Sequence, residues 1–214
     1  MVVVLVTRLY KNPGFRKGYT PIVHPKNSEL KYIEYGVLFL PEEGDEYYGE
    51  TLGCEVVLTI FSGKFKIGID CPSQKTFFEE EASRTDVFSE KPTAVYVPKR
   101  ATYKVTCLSP MLEVGVSKAP ADIDYPPAIV RPDEVVEKAV GTWNWRRGFR
   151  LVVVENVKSC KLIVGETVNP PGNWSSIPPH KHDREGVNEI PLEEVYFFKL
   201  KPRFWPAEDL YGTR

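Results

Sequence analysis

From Tyr32 onward the chain is cut into short apolar runs by turn residues, and this punctuation restricts the possible folds more than any other feature. The runs cover 33–40, 55–61, 64–70, 85–89, 94–98, 103–107 and 112–116, and they are rich in Val, Ile, Tyr, Phe and Thr. Such residues fit a pleated, half-buried surface. The run 64–70 alternates, with Phe65, Ile67 and Ile69 on one face and Lys64, Lys66 and Gly68 on the other. No stretch keeps a helical period over a helical length. The spacing predicts an all-β sandwich or barrel, with a hairpin turn at Ser62-Gly63-Lys64 and further strands at 151–155 and 161–166. Residues 1–8 are expected as a first strand, 10–30 as a polar arm with His24 as a solvated loop residue, and 117–133 as a proline-stiffened connector. The stretch 132–140 suits either a helical turn or a short strand.

Composition bounds the function class. Apolar residues make up 42% of the 214, enough for a core, and 28 basic residues offset 29 acidic ones to leave a net charge of −1. No basic stripe points to nucleic acid. The apolar start is too short to span a membrane and lacks a basic lead-in, so the expectation is a cytoplasmic protein that engages neither nucleic acid nor membrane. Cys54, Cys71, Cys107 and Cys160 form no close pair and are expected as free, mostly buried thiols.

The chemistry concentrates near the C-terminus. His180 and His182 lie two residues apart, so in an extended strand both reach one point. On the run 191–200, Leu192, Glu194, Tyr196, Phe198 and Leu200 share a face, and Glu193 falls on the other, expected to be exposed. A carboxylate on an apolar face needs compensation. A divalent metal held by His180, His182 and Glu194 would supply it, and the donor set suits Zn, Mn or Fe without choosing among them. The alternative is a chance His-x-His pair with no metal. Upstream, Arg146, Arg147 and Arg150 follow Trp143 and Trp145 and could form a positive wall for a sugar acid, or a solvated loop beside packed tryptophans. Asn173, Trp174, Ser175 and Ser176, fixed between Pro170-Pro171-Gly172 and Pro178-Pro179, are candidates for sugar-hydroxyl contact or for a rigid loop that shapes a barrel mouth. Lys181 and Tyr196 complete the candidate substrate-binding set.

The run Pro171-Gly-Asn-Trp-Ser-Ser-Ile-Pro-Pro-His-Lys-His-Asp183, followed by Leu192-Glu-Glu-Val-Tyr-Phe197, resembles the 5-deoxy-glucuronate isomerases of bacterial inositol breakdown. These are two-cupin proteins related to the 5-keto-4-deoxyuronate isomerases of pectin degradation. Residues 86–98 also resemble the first domain of that family. The resemblance implies a cupin (jelly-roll) barrel followed by a partial second cupin. It divides the chain into an N-terminal cupin-like domain over 1–118 without a histidine site, a connector over 119–150, and a partial C-terminal cupin over 151–214. It further implies a metal-dependent aldose–ketose isomerase that converts 5-deoxy-glucuronate to 5-dehydro-2-deoxy-gluconate, with His180, His182 and Glu194 at three of four metal-ligand positions. The family's fourth ligand is a later histidine, and no histidine follows His182 here. The expectation is therefore a shortened second cupin whose exposed edge another copy of the chain or the first domain covers, in a homo-oligomer. Two rivals stand beside it: a non-catalytic cupin that binds a sugar acid or a protein partner, and a non-haem iron oxygenase using two His and one carboxylate. No residue stands out as the general base.

Overall fold

A computed structural model of the chain describes residues 9–175, 182, 185–187 and 189–201. Twelve strands run through the described residues: β1 (Gly18–Val23), β2 (Glu34–Leu40), β3 (Glu46–Glu50), β4 (Cys54–Cys71), β5 (Thr76–Arg84), β6 (Ala94–Val97), β7 (Thr102–Cys107), β8 (Leu112–Pro120), β9 (Ala128–Val130), β10 (Val136–Val140), β11 (Arg147–Val153) and β12 (Val164–Val168). Their pairings are all antiparallel. The all-β expectation holds.

β4 organises the first nine strands. Its first half pairs with β8 and β6, and its second half with β7 and β5. One strand therefore belongs to two leaves, β1-β2-β8-β4-β6-β9 and β3-β7-β4-β5. The expected hairpin at Ser62-Gly63 is absent because β4 continues through it. The register shifts between Ile60 and Ser62. The core face changes from even positions (Val56, Leu58, Ile60) to odd ones (Phe65, Ile67, Ile69). Gly63 has φ +101°, and a Cβ there would lie 2.3 Å from the Met111 carbonyl oxygen, so only glycine fits the corner. Leu38, Leu40, Val95, Val97, Val105, Val114 and Val116 fill the space between the leaves.

The sequence also misplaces other elements. Residues 85–89, expected as a strand, form a turn, because Asp86 Oδ1 accepts the N–H groups of Phe88 and Ser89. β1 lies where a polar arm was expected, and β3 and β5 lie in stretches for which no strand was expected. β5 carries its acidic residues on an edge, where Glu79 and Glu81 meet Lys66 and Lys64 at 2.8 Å each.

The stretch 119–150 carries β9, β10 and the start of β11. β9 joins β6 in the first leaf, while β10, β11 and β12 form a separate three-stranded sheet. A second core, with Val57, Tyr96, Ala119 and Val130 from the first leaf and Val135, Val152, Val153 and Leu162 from the later chain, joins the two. The first leaf is thus covered on both faces. All four thiols are free, Cys71 and Cys107 buried and Cys54 and Cys160 half-buried. No helix among the described residues is long and apolar enough to cross a membrane.

Candidate functional site

The turn between β10 and β11 is the most constrained part of the candidate region. Gly141 has φ +79°, and a Cβ there would lie 2.2 Å from the Trp145 carbonyl oxygen. Trp143 also takes a positive φ, +51°, and is 92% exposed. A bulky residue in that conformation is strained and needs support from its surroundings. The support comes from the loop after β12. Asn173 Nδ2 donates to the Arg146 carbonyl at 2.6 Å, the Trp174 N–H donates to the Asn144 carbonyl at 2.7 Å, and the Trp145 and Trp174 rings stack with centroids 5.9 Å apart. Arg146, Asn173 and Trp174, far apart in sequence, thus meet. Trp145 was not among the expected site residues; its place in the Trp-Asn-Trp-Arg-Arg run was the available signal.

The three arginines differ sharply. Arg150 is buried, and its Nη1 donates to the Val87 and Glu90 carbonyls at 3.0 and 2.9 Å and lies 3.4 Å from Glu166 Oε2. Arg84, 2% exposed, takes the same carboxylate at 2.5 and 2.8 Å. Arg150 therefore spends its guanidinium within the protein. Arg146 is exposed. Arg147 is half-buried, with Nη1 donating to the Trp145 carbonyl at 3.3 Å and the guanidinium 4.9 Å from the Phe149 ring centroid.

His182 is exposed. The chain returns past it through a bridge between Gly186 and Glu189, and the Leu192 N–H donates to the His182 carbonyl at 2.9 Å. His182 and the segment bearing Glu194 therefore run side by side. His180, Lys181 and Ser176 lie outside the described residues. Among the described residues no three His, Cys, Asp or Glu side chains gather as a metal site.

The segment 191–201 forms no strand, contrary to expectation, although its burial alternates. The face holding Glu194, Tyr196, Phe198 and Leu200 is the exposed one. The other face is anchored on β2, β4 and β8. Phe197 stacks on Phe61 at 5.5 Å and lies 5.5 Å from Tyr35, and Lys199 pairs with Glu113. Glu193, expected to be exposed, instead accepts the N–H groups of Lys31, Tyr32 and Ile33 at 2.5, 2.9 and 3.0 Å. Three converging donors explain the reversal: they offer a carboxylate more than water-exposed placement does. Glu194 Oε1 accepts the Tyr196 hydroxyl at 2.5 Å. Burial and that hydrogen bond push the Tyr196 phenol up to about 12, and the nearby charge of Arg147 opposes them. Arg147, Tyr196 and Glu194 therefore belong to one neighbourhood. Ser175, after Trp174, is half-buried.

With this geometry in place, comparison with known proteins is informative. The KduI/IolB family profile matches residues 8–207. The chain belongs to the KduI/IolB family. A family member from Geobacillus thermodenitrificans (strain NG80-2), named 5-deoxy-glucuronate isomerase, is 34% identical over 188 residues, 87% of this chain and 66% of the relative. One of the same name from Bacillus subtilis (strain 168) is 30% identical over 183 residues, 84% of this chain and 65% of the relative. The chain thus spans just under two thirds of the length of these relatives. Among solved structures, an IolB-like protein from Salmonella typhimurium LT2 superposes with a TM-score of 0.75 at 23% identity, covering 86% of this chain and 69% of that one. That likeness supports the KduI/IolB fold.

Proposed function

We propose that the chain is an aldose–ketose isomerase acting on 5-deoxy-glucuronate and yielding 5-dehydro-2-deoxy-gluconate in the cytoplasmic breakdown of myo-inositol. The observation that carries this reading is the convergence, in a KduI/IolB chain, of the clamped Trp-Arg turn with the segment bearing His182, Glu194 and Tyr196. Two imidazoles and a carboxylate suit a divalent metal such as Zn, Mn or Fe, and the return of the chain from His182 to Leu192 brings two of these donors onto adjacent segments. His180, His182 and Glu194 would hold it, and when bound it supplies positive charge to stabilise an enediolate. The chain's own groups do the rest of what the geometry supports. Arginine meets the acid's carboxylate, Trp174 and Asn173 with Ser175, Ser176 and Lys181 frame the sugar, and Tyr196, whose hydroxyl donates to Glu194, orients the Glu194 carboxylate.

The domain plan is part of the same proposal: a cupin barrel over 1–118, and a partial second cupin over 151–214 joined by 119–150. So is a homo-oligomer. The exposed Tyr196, Phe198 and Leu200 form an apolar strip of the kind a second copy covers. Light scattering that returns only monomer would remove that part.

The deciding experiment measures turnover of 5-deoxy-glucuronate together with elemental analysis of the same samples. Stoichiometric metal and turnover in the wild type, both lost in Glu194→Gln and His182→Ala, are expected. Metal-free protein without turnover would replace the enzyme by a sugar-acid-binding cupin.

A further inference from the structure

We propose that Arg147 is the residue that takes the carboxylate of the sugar acid, with the Trp145–Trp174 stack as the wall against which the sugar ring rests. The ligand class rests on the isomerase reading; the choice of residue rests on geometry. A guanidinium removed from water is stable when an anion meets its N–H groups. Arg84 and Arg150 have Glu166, and Arg150 also has Glu137 at 3.9 Å. Arg131 has Glu80 at 2.6 Å. Arg147 is half-buried and has no carboxylate within ion-pair distance among the described residues. Among the described residues its Nε is buried without any acceptor, and its one hydrogen bond runs from Nη1 to the Trp145 carbonyl.

The site is also held in place. Phe149 lies under the guanidinium, with the ring centroid 4.9 Å away, and Nη2 is the nitrogen left for a ligand: Nε is buried, Nη1 is taken by the Trp145 carbonyl, and Nη2 has no acceptor among the described residues. Trp174 is 62% exposed although it stacks on Trp145, so one indole face remains open for the apolar face of a pyranose. The strained Trp143 turn and its two clamping hydrogen bonds hold the Trp145 carbonyl that orients Nη1. Arg146 lacks this backing: it is exposed, and no ring among the described residues supports it.

The test is calorimetric titration of the full chain with D-glucuronate as the probe and D-glucose as its uncharged counterpart. Wild type is expected to prefer glucuronate by about tenfold or more, which corresponds to a single charge-assisted contact. Arg147→Gln should erase the preference, Arg147→Lys should restore part of it, and Arg146→Gln should leave it intact. Arg147→Met keeps the packing on Phe149 and serves if the glutamine variant does not fold. Trp174→Ala should weaken both sugars alike. Unchanged glucuronate preference in folded Arg147→Gln or Arg147→Met overturns the assignment, as does loss of preference in Arg146→Gln, or a wild type that binds the two sugars equally. Isomerase turnover alongside equal binding would sink this site and leave the isomerase reading standing. Arg147-dependent preference without turnover would do the reverse.

Discussion

Glu55 is fully buried, yet it is an acid surrounded by donors rather than an exposed charge. It accepts the N–H groups of Cys160, Lys161 and Leu162 at 2.6, 2.6 and 2.8 Å and the Tyr96 hydroxyl at 2.9 Å. Glu55→Gln turns an amide N–H toward one of those donors and should cost about 3 kcal/mol, whereas Tyr96→Phe should cost about 1 kcal/mol. Urea denaturation of both variants checks the order; a larger loss in Tyr96→Phe would contradict it. Glu34 makes a prediction in pH. Burial disfavours its charge, but hydrogen bonds from Tyr19 and Lys118 prevail and hold its pKa below the usual 4.5. A carboxylate with a depressed folded-state pKa adds stability above its unfolded value, lost as pH falls through the folded one. Glu34→Gln should therefore cost stability at pH 7, cost progressively less as pH falls below about 4.5, and so flatten the acid limb of the stability curve. A curve parallel to wild type across pH 2–5 would reject the linkage. Single residues of this kind were hidden in the sequence: Glu55 precedes a pair of valines and reads as a strand's polar face, and its three backbone donors come from more than 100 residues away.

At the scale of elements, alternation in sequence was legible where one face is apolar throughout, as in 64–70, and failed where the chain changes leaf. Ser62-Gly63 reads as a hairpin because serine and glycine mark turns, but here they mark a corner inside one long strand. Gly63→Ala tests that reading. It combines a positive φ with a Cβ 2.3 Å from a carbonyl oxygen, and should cost roughly 3 kcal/mol or more. Gly53→Ala, with nothing within 4 Å, should be close to neutral. Equal thermal midpoints for the two would show that the corner relaxes freely. The segment 191–201 gave the opposite lesson. Its alternation was legible, but which face turns inward depends on what it meets: the three N–H groups of 31–33 and the Phe61–Tyr35 surface, none of which a local pattern contains. Glu193→Ala should release this segment, seen as faster proteolysis within 191–201 with a midpoint shift small beside that of Gly63→Ala. Unchanged cleavage would mean Phe197 and Lys199 hold it unaided.

For the molecule as a whole, the question is whether the nine-stranded part and the three-stranded sheet unfold as one. The first leaf carries core on both faces, so neither part keeps its apolar surface covered if the other departs. The charged link is the cluster in which Glu166 on β12 meets Arg84 at the end of β5 and Arg150 on β11, while both arginines donate to the Glu90 carbonyl. Removing one member of such a buried set leaves a charge uncompensated, which costs about 3–5 kcal/mol. Glu166→Gln strands two guanidiniums and should lie at the upper end; Arg84→Met leaves Arg150 to neutralise Glu166 and should lie at the lower end. Because the pair is in direct contact, the double variant should lose clearly less than the sum of the singles. Calorimetry and urea melts on all four proteins test this. Wild type should unfold in one transition, and the single variants should lower its midpoint without splitting it. Additive losses would mean that the shared apolar core, and not the ion cluster, couples the two; separate wild-type transitions for the nine-stranded part and the three-stranded sheet would mean that neither does.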